Sequence, residues 1–312
     1  MNFLEDGRTL VKVAHMYYEE GATQSQIADE IGVSRSLISK YLSKARDLGI
    51  VEIIIHDDKI HPYRHLEGKI ERLYGLREVV CIPNLGGESS KSRLGAAASK
   101  YLLRILKDGQ TVGVSAGTTL HEVAKSLTSP HSYPSVTFVP LVGGMGNERV
   151  DIHANHIVAK FAESLKANYK LLHAPVVVDS KEAKEIFMRQ NSILDVFQLA
   201  TQSDIAIVGI GGTPEHSTMV KSYLGSDHQN YFDQTDVVGD ICYNFINSKG
   251  DASSNLWNEK IITLEVEQLK EIPLVIGVAC GIEKVKAIKA SLVGKLIQVL
   301  ITDEETAKAL LD

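Results

Sequence analysis

The sequence predicts an α/β protein with a small N-terminal helix-turn-helix domain and a larger domain built on a doubly wound parallel sheet. Residues 8–46 carry three helical patterns separated by short turns. From residue 78 onward, short β-branched runs alternate with helical stretches. Apolar runs joined by crossover helices are typical of an open parallel sheet that is buried on both faces.

The composition is that of an ordinary globular chain. The 312 residues are 44% apolar and include three widely spaced cysteines, which argues against disorder and against a disulfide scaffold. The sequence offers no signal peptide and no membrane helix, so the expected location is the cytoplasm. Although the net charge is −6, residues 34–46 contain four basic side chains and no acid. We therefore expect a small cationic surface near the N-terminus.

The predicted N-terminal domain spans residues 1–57 and begins with a helix at 8–20. Thr23 and Gln26 have the spacing of a capping box, which starts a second helix. Gly32 can adopt the left-handed conformation that ends a helix in a tight turn. This order of helix, tight turn and helix is what a helix-turn-helix requires.

The third helix is predicted to carry the DNA-contacting surface. Ser34 is a favourable N-cap, and the outward face of the helix carries hydroxyl and basic side chains of the kind that contact phosphates and base edges. The alternative is a three-helix packing unit whose charges are only a solvated face. A β-rich segment at 50–56 is predicted to form a short hairpin or wing. The candidate DNA-binding residues are Gln24, Ser34, Arg35, Ser36, Ser39, Lys40 and Lys44.

A linker with one helix is predicted over residues 58–77. Its apolar residues form a single stripe between residues 64 and 76. The stripe suits packing against a helix of a second subunit, or equally against its own domain, because two heptads are too few to define a coiled coil.

The predicted large domain covers residues 78–312. Its strands are expected at residues 79–82, 111–115, 136–141, 171–178, 205–210, 274–279 and 296–301. Its helices are expected at residues 90–106, 120–127, 153–167, 181–200, 283–292 and 304–311.

Four loops at the predicted carboxyl ends of these strands favour a ligand site at that edge of the sheet. Residues 115–119 join a strand to a helix and combine free amide hydrogens, a glycine and three hydroxyls, which suits a phosphate. Residues 143–146, 209–213 and 280–284 are further strand exits that contain glycine. Each loop alone is explained by a tight turn, but the four together predict a site.

Several familiar chemistries lack their motifs. Residues 209–214 lack the third glycine of G-x-G-x-x-G, and the chain has neither a Walker loop nor a G-x-S-x-G motif. His153 and His156 lie three apart on a predicted helix, without a further ligand at diagnostic spacing. We therefore expect no metal and no cofactor.

Beyond the order of helix-turn-helix, linker helix and α/β domain, the large domain carries three distinctive motifs: Gly117-Thr118-Thr119, Gly281-x-x-Lys284-x-x-Ala287-Ile288 and Leu300-Ile301-Thr302-Asp303. With these motifs the whole chain resembles the SorC family of bacterial sugar-responsive transcriptional regulators. The resemblance covers nearly all of the sequence, and residues 143–175 are especially similar to the central glycolytic gene regulator branch, with the deoxyribonucleoside regulator type also close. It implies a Rossmann-like effector domain, similar to sugar-phosphate isomerases and deaminases, in a protein that is typically tetrameric on DNA.

The resemblance also implies roles for single residues. Thr118 and Thr119 would contact phosphate, Asp240 would accept from sugar hydroxyls, and Lys284 would supply a cation. With the neighbouring loop residues, the candidate effector-binding residues are Ser115, Gly117, Thr118, Thr119, Gly144, His153, Gly211, Asp240 and Lys284.

The sequence departs from the family pattern at three positions. Val142 stands where some members have a Lys or Arg that touches the effector, His153 where the glycolytic branch has Gln, and Asn247 where Asp is frequent. Val142 rules out a Schiff base at that position and removes a second phosphate-binding cation. A monophosphorylated sugar is therefore favoured over a bisphosphate.

The predicted function is a DNA-binding transcriptional regulator, a repressor of a carbohydrate operon, that is controlled by a phosphorylated sugar and is not an enzyme. Its expected partners are double-stranded operator DNA, the sugar phosphate and further copies of itself in a dimer or tetramer, with no membrane. One alternative is an active sugar-phosphate isomerase or deaminase with a DNA-binding appendage, which the lack of a clear acid/base pair disfavours. Another is a dinucleotide-responsive redox repressor, which the incomplete glycine motif disfavours.

Overall fold

The computed structural model describes residues 7–53, 61–84, 87–144, 149–217, 220 and 236–312. The chain divides into two compact units, residues 1–60 and 61–312. The boundary expected at residues 57 and 58 lies outside the described residues. Within those ranges, no helix combines the length and apolar character that crossing a membrane requires.

Three helices form the first unit, and each matches its predicted position to within a few residues at its ends. They are α1 (Gly7–Tyr18), α2 (Gln24–Ile31) and α3 (Arg35–Asp47). The capping box at the start of α2 is present, because the Thr23 amide donates to Gln26 Oε1 at 2.9 Å and the Gln26 amide donates to Thr23 Oγ1 at 3.4 Å. Gly32 ends α2 with φ at 76°.

The helices enclose a core that is dominated by Ile27, Ile38 and Tyr41, none of which is exposed. The strand expected at 50–56 is not seen over residues 50–53, and the remainder lies outside the described residues. The amides of Ile50 and Val51 both donate to the Ala45 carbonyl, at 2.9 and 3.2 Å. These two amides close the end of α3 and so cannot join a strand ladder.

A parallel sheet forms the centre of the second unit, as predicted. Its strands are β1 (Glu78–Ile82), β2 (Thr111–Val114), β3 (Thr137–Pro140), β4 (Asn168–Tyr169), β5 (Ile205–Gly211), β6 (Gly239–Ile241), β7 (Asn244–Ile246), β8 (Val275–Val278) and β9 (Val299–Asp303). The strand order is β1-β9-β8-β5-β2-β3-β4, and every neighbouring pair in this order is parallel. A short antiparallel hairpin, β6 with β7, pairs with the end of β5.

Helices cover both faces of this sheet, which confirms the doubly wound arrangement. Side chains alternate along β5: Ile205 and Ile207 pack with α5, α6 and α7, whereas Ala206 and Val208 pack in the cluster on the opposite face. The helices are α4 (Arg64–Tyr74), α5 (Gly87–Ile105), α6 (Thr118–Ser126), α7 (Ala154–Leu165), α8 (Lys181–Met188), α9 (Asn191–Thr201), α10 (Leu256–Lys260), α11 (Val266–Lys270), α12 (Val285–Val293) and α13 (Glu304–Ala309).

The strand order places a topological switch between β2 and β5. From β2 the chain continues outward through β3 and β4, whereas from β5 it continues in the opposite direction through β8 and β9. The loops after β2 and β5 therefore diverge and leave a crevice at the carboxyl ends of the two strands.

Helix α4, expected within a linker, is packed into the second unit. Ile70 is fully buried in the core of that unit. The Glu67 carboxylate accepts from the Cys81 amide at 2.8 Å, and the Glu71 carboxylate accepts from the Val79 amide at 3.1 Å. Two carboxylates one helical turn apart thus satisfy two edge amides of β1. Of the two packing arrangements considered for this helix, contact with its own domain is the one observed.

Two predicted elements were wrong. Residues 171–178 form only isolated bridges, Pro175 with Gly144 and Val177 with Ile261, rather than a continuous strand. Pro175 lacks an amide hydrogen and so interrupts the run. The single helix expected at 181–200 is interrupted at Gln190, whose ψ of 125° is extended, and forms α8 and α9. The β6–β7 hairpin and the short helices α10 and α11 were not predicted.

Candidate functional site

A cleft opens at the switch point between the carboxyl ends of β2 and β5. It encloses about 720 Å³, including the part open to solvent. Its lining residues are Ser115, Ala116, Gly117, Thr118, Thr119, Val142, Ile152, Gly209, Ile210, Gly211, Gly212, Ser217, Asp240, Cys242, Tyr243 and Lys284.

The first turn of α6 forms one wall of the cleft. Gly117 precedes the helix with φ at 118°, a conformation that favours glycine, and no side chain caps the helix start. The Gly117 amide donates to the Ile152 carbonyl at 2.9 Å, which fixes the loop. The first amides of an uncapped helix and the positive end of its dipole together suit an anion.

Ser115 links the two strands at the switch point. Its hydroxyl accepts a hydrogen bond from the Gly209 amide at 3.3 Å, and its own amide donates to the Ile207 carbonyl at 3.1 Å. The loops after β2 and β5 are therefore held together at the base of the cleft.

Asp240 lies on β6 directly opposite Gly211 on β5. A Cβ atom added at Gly211 would lie 1.9 Å from Asp240 Oδ1, far inside van der Waals contact. Only glycine at position 211 therefore permits the carboxyl group to occupy this place beside the strand.

Burial raises the pKa of Asp240 to about 7, and Lys284 together with the Tyr243 amide limits the rise. Only 8% of Asp240 is exposed, so desolvation of the charged form is the dominant cause. Near neutral pH this group can either accept from a ligand hydroxyl or, when protonated, donate to one.

Lys284 supplies the cation of the cleft. It ends the 3-10 turn Ile282–Lys284 just before α12, and the preceding Gly281 amide donates to Thr306 Oγ1 at 2.8 Å. Charged Lys284 and the uncapped start of α6 thus line one cleft, so an anion there has two independent sources of attraction.

The structure brings most of the predicted effector-binding residues together. Ser115, Gly117, Thr118, Thr119, Gly211, Asp240 and Lys284 all line the cleft, whereas Gly144 and His153 do not. The Gly144 amide donates to the Ala174 carbonyl at 2.8 Å, and His153 is buried at the N-cap of α7.

Four further residues that were not predicted also line the cleft: Ile152, Ser217, Cys242 and Tyr243. Cys242 and Tyr243 form the two-residue loop between β6 and β7, and neither residue type is characteristic of such a loop. No signal in the sequence distinguished them from a buried run.

The predicted DNA-binding residues lie at the start of α2 and along α3 with its N-cap. Ser34, Arg35, Ser36, Ser39 and Lys40 are exposed, whereas Gln24 and Lys44 are half-buried. Ser34 has a structural role, because its hydroxyl accepts from the Leu37 amide at 3.3 Å as the N-cap of α3. Ser39, Lys40, Ser43 and Lys44 line a shallow groove along α3.

Among the described residues, no group of three His, Cys, Asp or Glu side chains is placed to hold a metal ion.

Comparison with known proteins adds independent information. Residues 58–312 match the family described as "Putative sugar-binding domain". The chain is 32% identical over 312 residues to the transcriptional regulator LsrR of Enterobacter sp. (strain 638), covering 99% of this chain and 94% of that one. It is 30% identical over 307 residues to the deoxyribonucleoside regulator of Bacillus subtilis (strain 168), covering 97% and 96%. The crystal structure of the full-length sorbitol operon regulator SorC from Klebsiella pneumoniae superposes with a TM-score of 0.75 at 31% identity, covering 99% of both chains.

Proposed function

Because this chain belongs to the SorC family of sugar-binding transcriptional regulators, we propose that it is a DNA-binding regulator, acting as a repressor of a carbohydrate operon, whose operator affinity is controlled by a phosphorylated sugar. The observation that best supports a phosphorylated sugar as the effector is that the N-terminus of α6, Asp240 and Lys284 all line one cleft.

The two ends of a sugar phosphate need different partners, and the cleft offers both. Thr118 and Thr119 with the first amides of α6 suit the phosphate, and Lys284 adds a charge. Asp240 suits the sugar hydroxyls. Val142 lines the cleft with an apolar side chain, which supports a ligand with one phosphate rather than two.

Binding without turnover is the proposed chemistry. Among the described lining residues, Asp240 is the only carboxylate and there is no histidine, so neither a second carboxylate nor an imidazole stands beside Asp240 for proton transfer. Supporting this, the relatives named above are regulators.

The DNA-contacting element proposed here is α3, whose exposed side carries Arg35, Ser36, Ser39 and Lys40. Arginine and lysine contact phosphates and guanine edges, while serine hydroxyls contact either. One such helix reads too few bases to define a unique operator, so we propose that the regulator binds as a dimer or tetramer.

A thermal-shift screen against sugar phosphates tests the effector proposal. A ligand at a hundred times its Kd should stabilise the protein by about 2.7 kcal/mol. The stabilising sugar phosphate should then change operator binding in a fluorescence anisotropy titration, while the unphosphorylated sugar at equal concentration should not. Stabilisation by the free sugar alone, or turnover of ribose 5-phosphate or glucosamine 6-phosphate, would contradict the proposal.

Light scattering tests the proposed dimer or tetramer. A monomer found both with and without DNA would contradict it.

A further inference from the structure

The loop between β6 and β7 has an uncommon backbone. Ile241 pairs with Asn244, so Cys242 and Tyr243 alone make the turn, with φ at 50° and 63°. Two-residue turns with two positive φ values strongly favour Asn and Gly, because a larger side chain is strained there. Both residues line the cleft, and both are almost completely buried.

Strained backbone of this kind persists only where the surroundings hold it. The Cys242 carbonyl accepts from Thr263 Oγ1 at 2.7 Å, and the Tyr243 carbonyl accepts from Trp257 Nε1 at 3.0 Å. Asn244 Nδ2 adds a bond to the Leu264 carbonyl at 2.9 Å. We call Thr263 and Trp257 the turn clamp; both are buried and neither lines the cleft.

The clamp is itself anchored to the sheet edge beside the cleft. Thr263 forms an antiparallel bridge with Val142. Two hydrogen bonds flank this bridge. The Leu264 amide donates to the Leu141 carbonyl at 2.8 Å, and the Gly143 amide donates to the Ile262 carbonyl at 3.0 Å. The Thr263 hydroxyl therefore has a fixed position relative to the segment after β3, and it fixes the Cys242 carbonyl in turn.

The turn places the groups that face the ligand. Cys242 and Tyr243 follow directly after the strand that carries Asp240, and all three residues line the cleft. If the turn relaxed to negative φ values, the backbone next to Asp240 would rotate and the cleft wall that Cys242 and Tyr243 form would change shape. The left-handed turn thus shapes the hydroxyl-binding end of the cleft.

We propose that Thr263 and Trp257 are positioning residues for ligand recognition, which act through the Cys242–Tyr243 turn without touching the ligand. The clamp keeps the turn left-handed, and the turn orients Asp240. This proposal rests on the proposed function for the identity of the ligand. The role of the two residues in the conformation of the turn does not depend on that function.

A double-mutant cycle with a ligand-free readout tests the clamp. The variants are Thr263→Val, which removes a donor with little change in shape, and Trp257→Phe, which removes a donor but also leaves a cavity at a fully buried position. Cys242→Gly provides a second background, because glycine adopts a positive φ without the clamp. The matched control is Thr302→Val, since Thr302 is also buried and its hydroxyl has no hydrogen-bond partner among the described residues.

The first readout is hydrogen exchange of residues 239–246 without ligand. We expect Thr263→Val and Trp257→Phe to speed exchange of these amides about tenfold or more, while Thr302→Val leaves it unchanged. The second readout is calorimetric affinity for glucose 6-phosphate, fructose 6-phosphate and ribose 5-phosphate. For each sugar phosphate that binds the wild-type protein, Thr263→Val should lower the affinity about fivefold or more. In the Cys242→Gly background, the same substitution should lower the affinity by less than about twofold.

Unchanged exchange in both clamp variants would overturn the proposal, as would an equal affinity loss in both backgrounds. If wild type binds none of the three sugar phosphates, the proposed function is in doubt, and the exchange measurement alone decides the role of the clamp. If Trp257→Phe does not fold, Thr263→Val carries the test.

Discussion

The exposed side of α3 and the cleft of the second unit offer the same chemical groups, hydroxyls and cations, but are assembled differently. The α3 surface comes from Arg35, Ser36, Ser39 and Lys40, which are close neighbours in the sequence, and all four residues are exposed. The cleft joins segments as far apart as Ser115 and Lys284, and several of its groups are buried against one another. A surface of independent side chains should lose function one contact at a time, whereas a packed site should fail from a single added methyl group.

The sharpest test of this difference is Gly211→Ala. The new Cβ would overlap Asp240 Oδ1, so the carboxyl group or β6 must move. Overpacking of this kind costs about 1–3 kcal/mol, and here it also displaces a ligand-binding group, so we expect effector affinity to fall about a hundredfold. The control is Gly144→Ala, because Gly144 does not line the cleft and its Cβ would meet nothing closer than Ala174 O at 3.8 Å. Equal calorimetric affinities for the two variants would show that the close approach at Gly211 is not required.

The second test uses the buried charge of the cleft. The pKa of Asp240 is about 7 in the folded protein, above its ordinary value of 3.8. Between about pH 4 and pH 7 the folded state therefore retains a proton that the unfolded state has released, so this group makes the protein less stable as pH rises through that window. Asp240→Asn should remove this part of the pH dependence and be the more stable form at pH 8. Urea unfolding of both proteins between pH 5 and pH 8 measures the free energy of unfolding at each pH. If this free energy changed with pH in the same way for both proteins, the expected burial of the Asp240 charge would be contradicted.

These contrasts also explain how much the sequence could predict. The capping box at Thr23 and the turn at Gly32 are local, so short-range spacing was sufficient for the first unit. The strand exit at 115–119 could be predicted in the same way, and so could the open parallel sheet.

Tertiary contacts decided the rest. Asp240 entered the prediction through resemblance alone, because a three-residue strand such as β6 gives almost no periodic signal. The Cys242–Tyr243 turn could not be predicted, since its conformation depends on donors that lie 14 and 21 residues further along the chain. The strand expected at 171–178 failed because a β-branched run predicts extended backbone without specifying a pairing partner.

Lys284→Ala tests the cleft with a single charge. Loss of a charge-assisted hydrogen bond to the phosphate should cost about 1.5–3 kcal/mol of effector binding, with folding and effector-free operator binding nearly intact. Lys286→Ala is the matched control, because Lys286 is exposed, lies two residues further on and does not line the cleft. Calorimetric titration that gives the two variants the same affinity would place the phosphate elsewhere.

On the α3 surface, Arg35→Ala should weaken operator binding by about 1–3 kcal/mol and relax base preference, if the guanidinium makes a bidentate contact with guanine. Lys44→Ala should lower affinity for all sequences alike, as expected for a phosphate contact. Lys12→Ala controls for net charge, since Lys12 lies on α1 and is 3.8 Å from Glu30. Anisotropy titrations against operator and scrambled DNA separate these outcomes. Unchanged specificity in Arg35→Ala would remove α3 from its proposed role.

Substitution of Ser34 should have the smallest effect of these changes. It separates two roles of one residue, because Ser34 is a candidate DNA contact and its side chain also caps α3. Its hydroxyl accepts from the Leu37 amide at 3.3 Å and lies 3.0 Å from Ser36 Oγ. Ser34→Ala removes the cap and should destabilise the first unit by about 1 kcal/mol, whereas Ser34→Asn keeps a capping acceptor and should restore that stability. If Ser34 acts on DNA only through the cap, Ser34→Asn should also bind operator as wild type does. If its hydroxyl contacts DNA directly, Ser34→Asn should fold normally yet bind more weakly, so thermal unfolding measured beside operator affinity for both variants decides between the two.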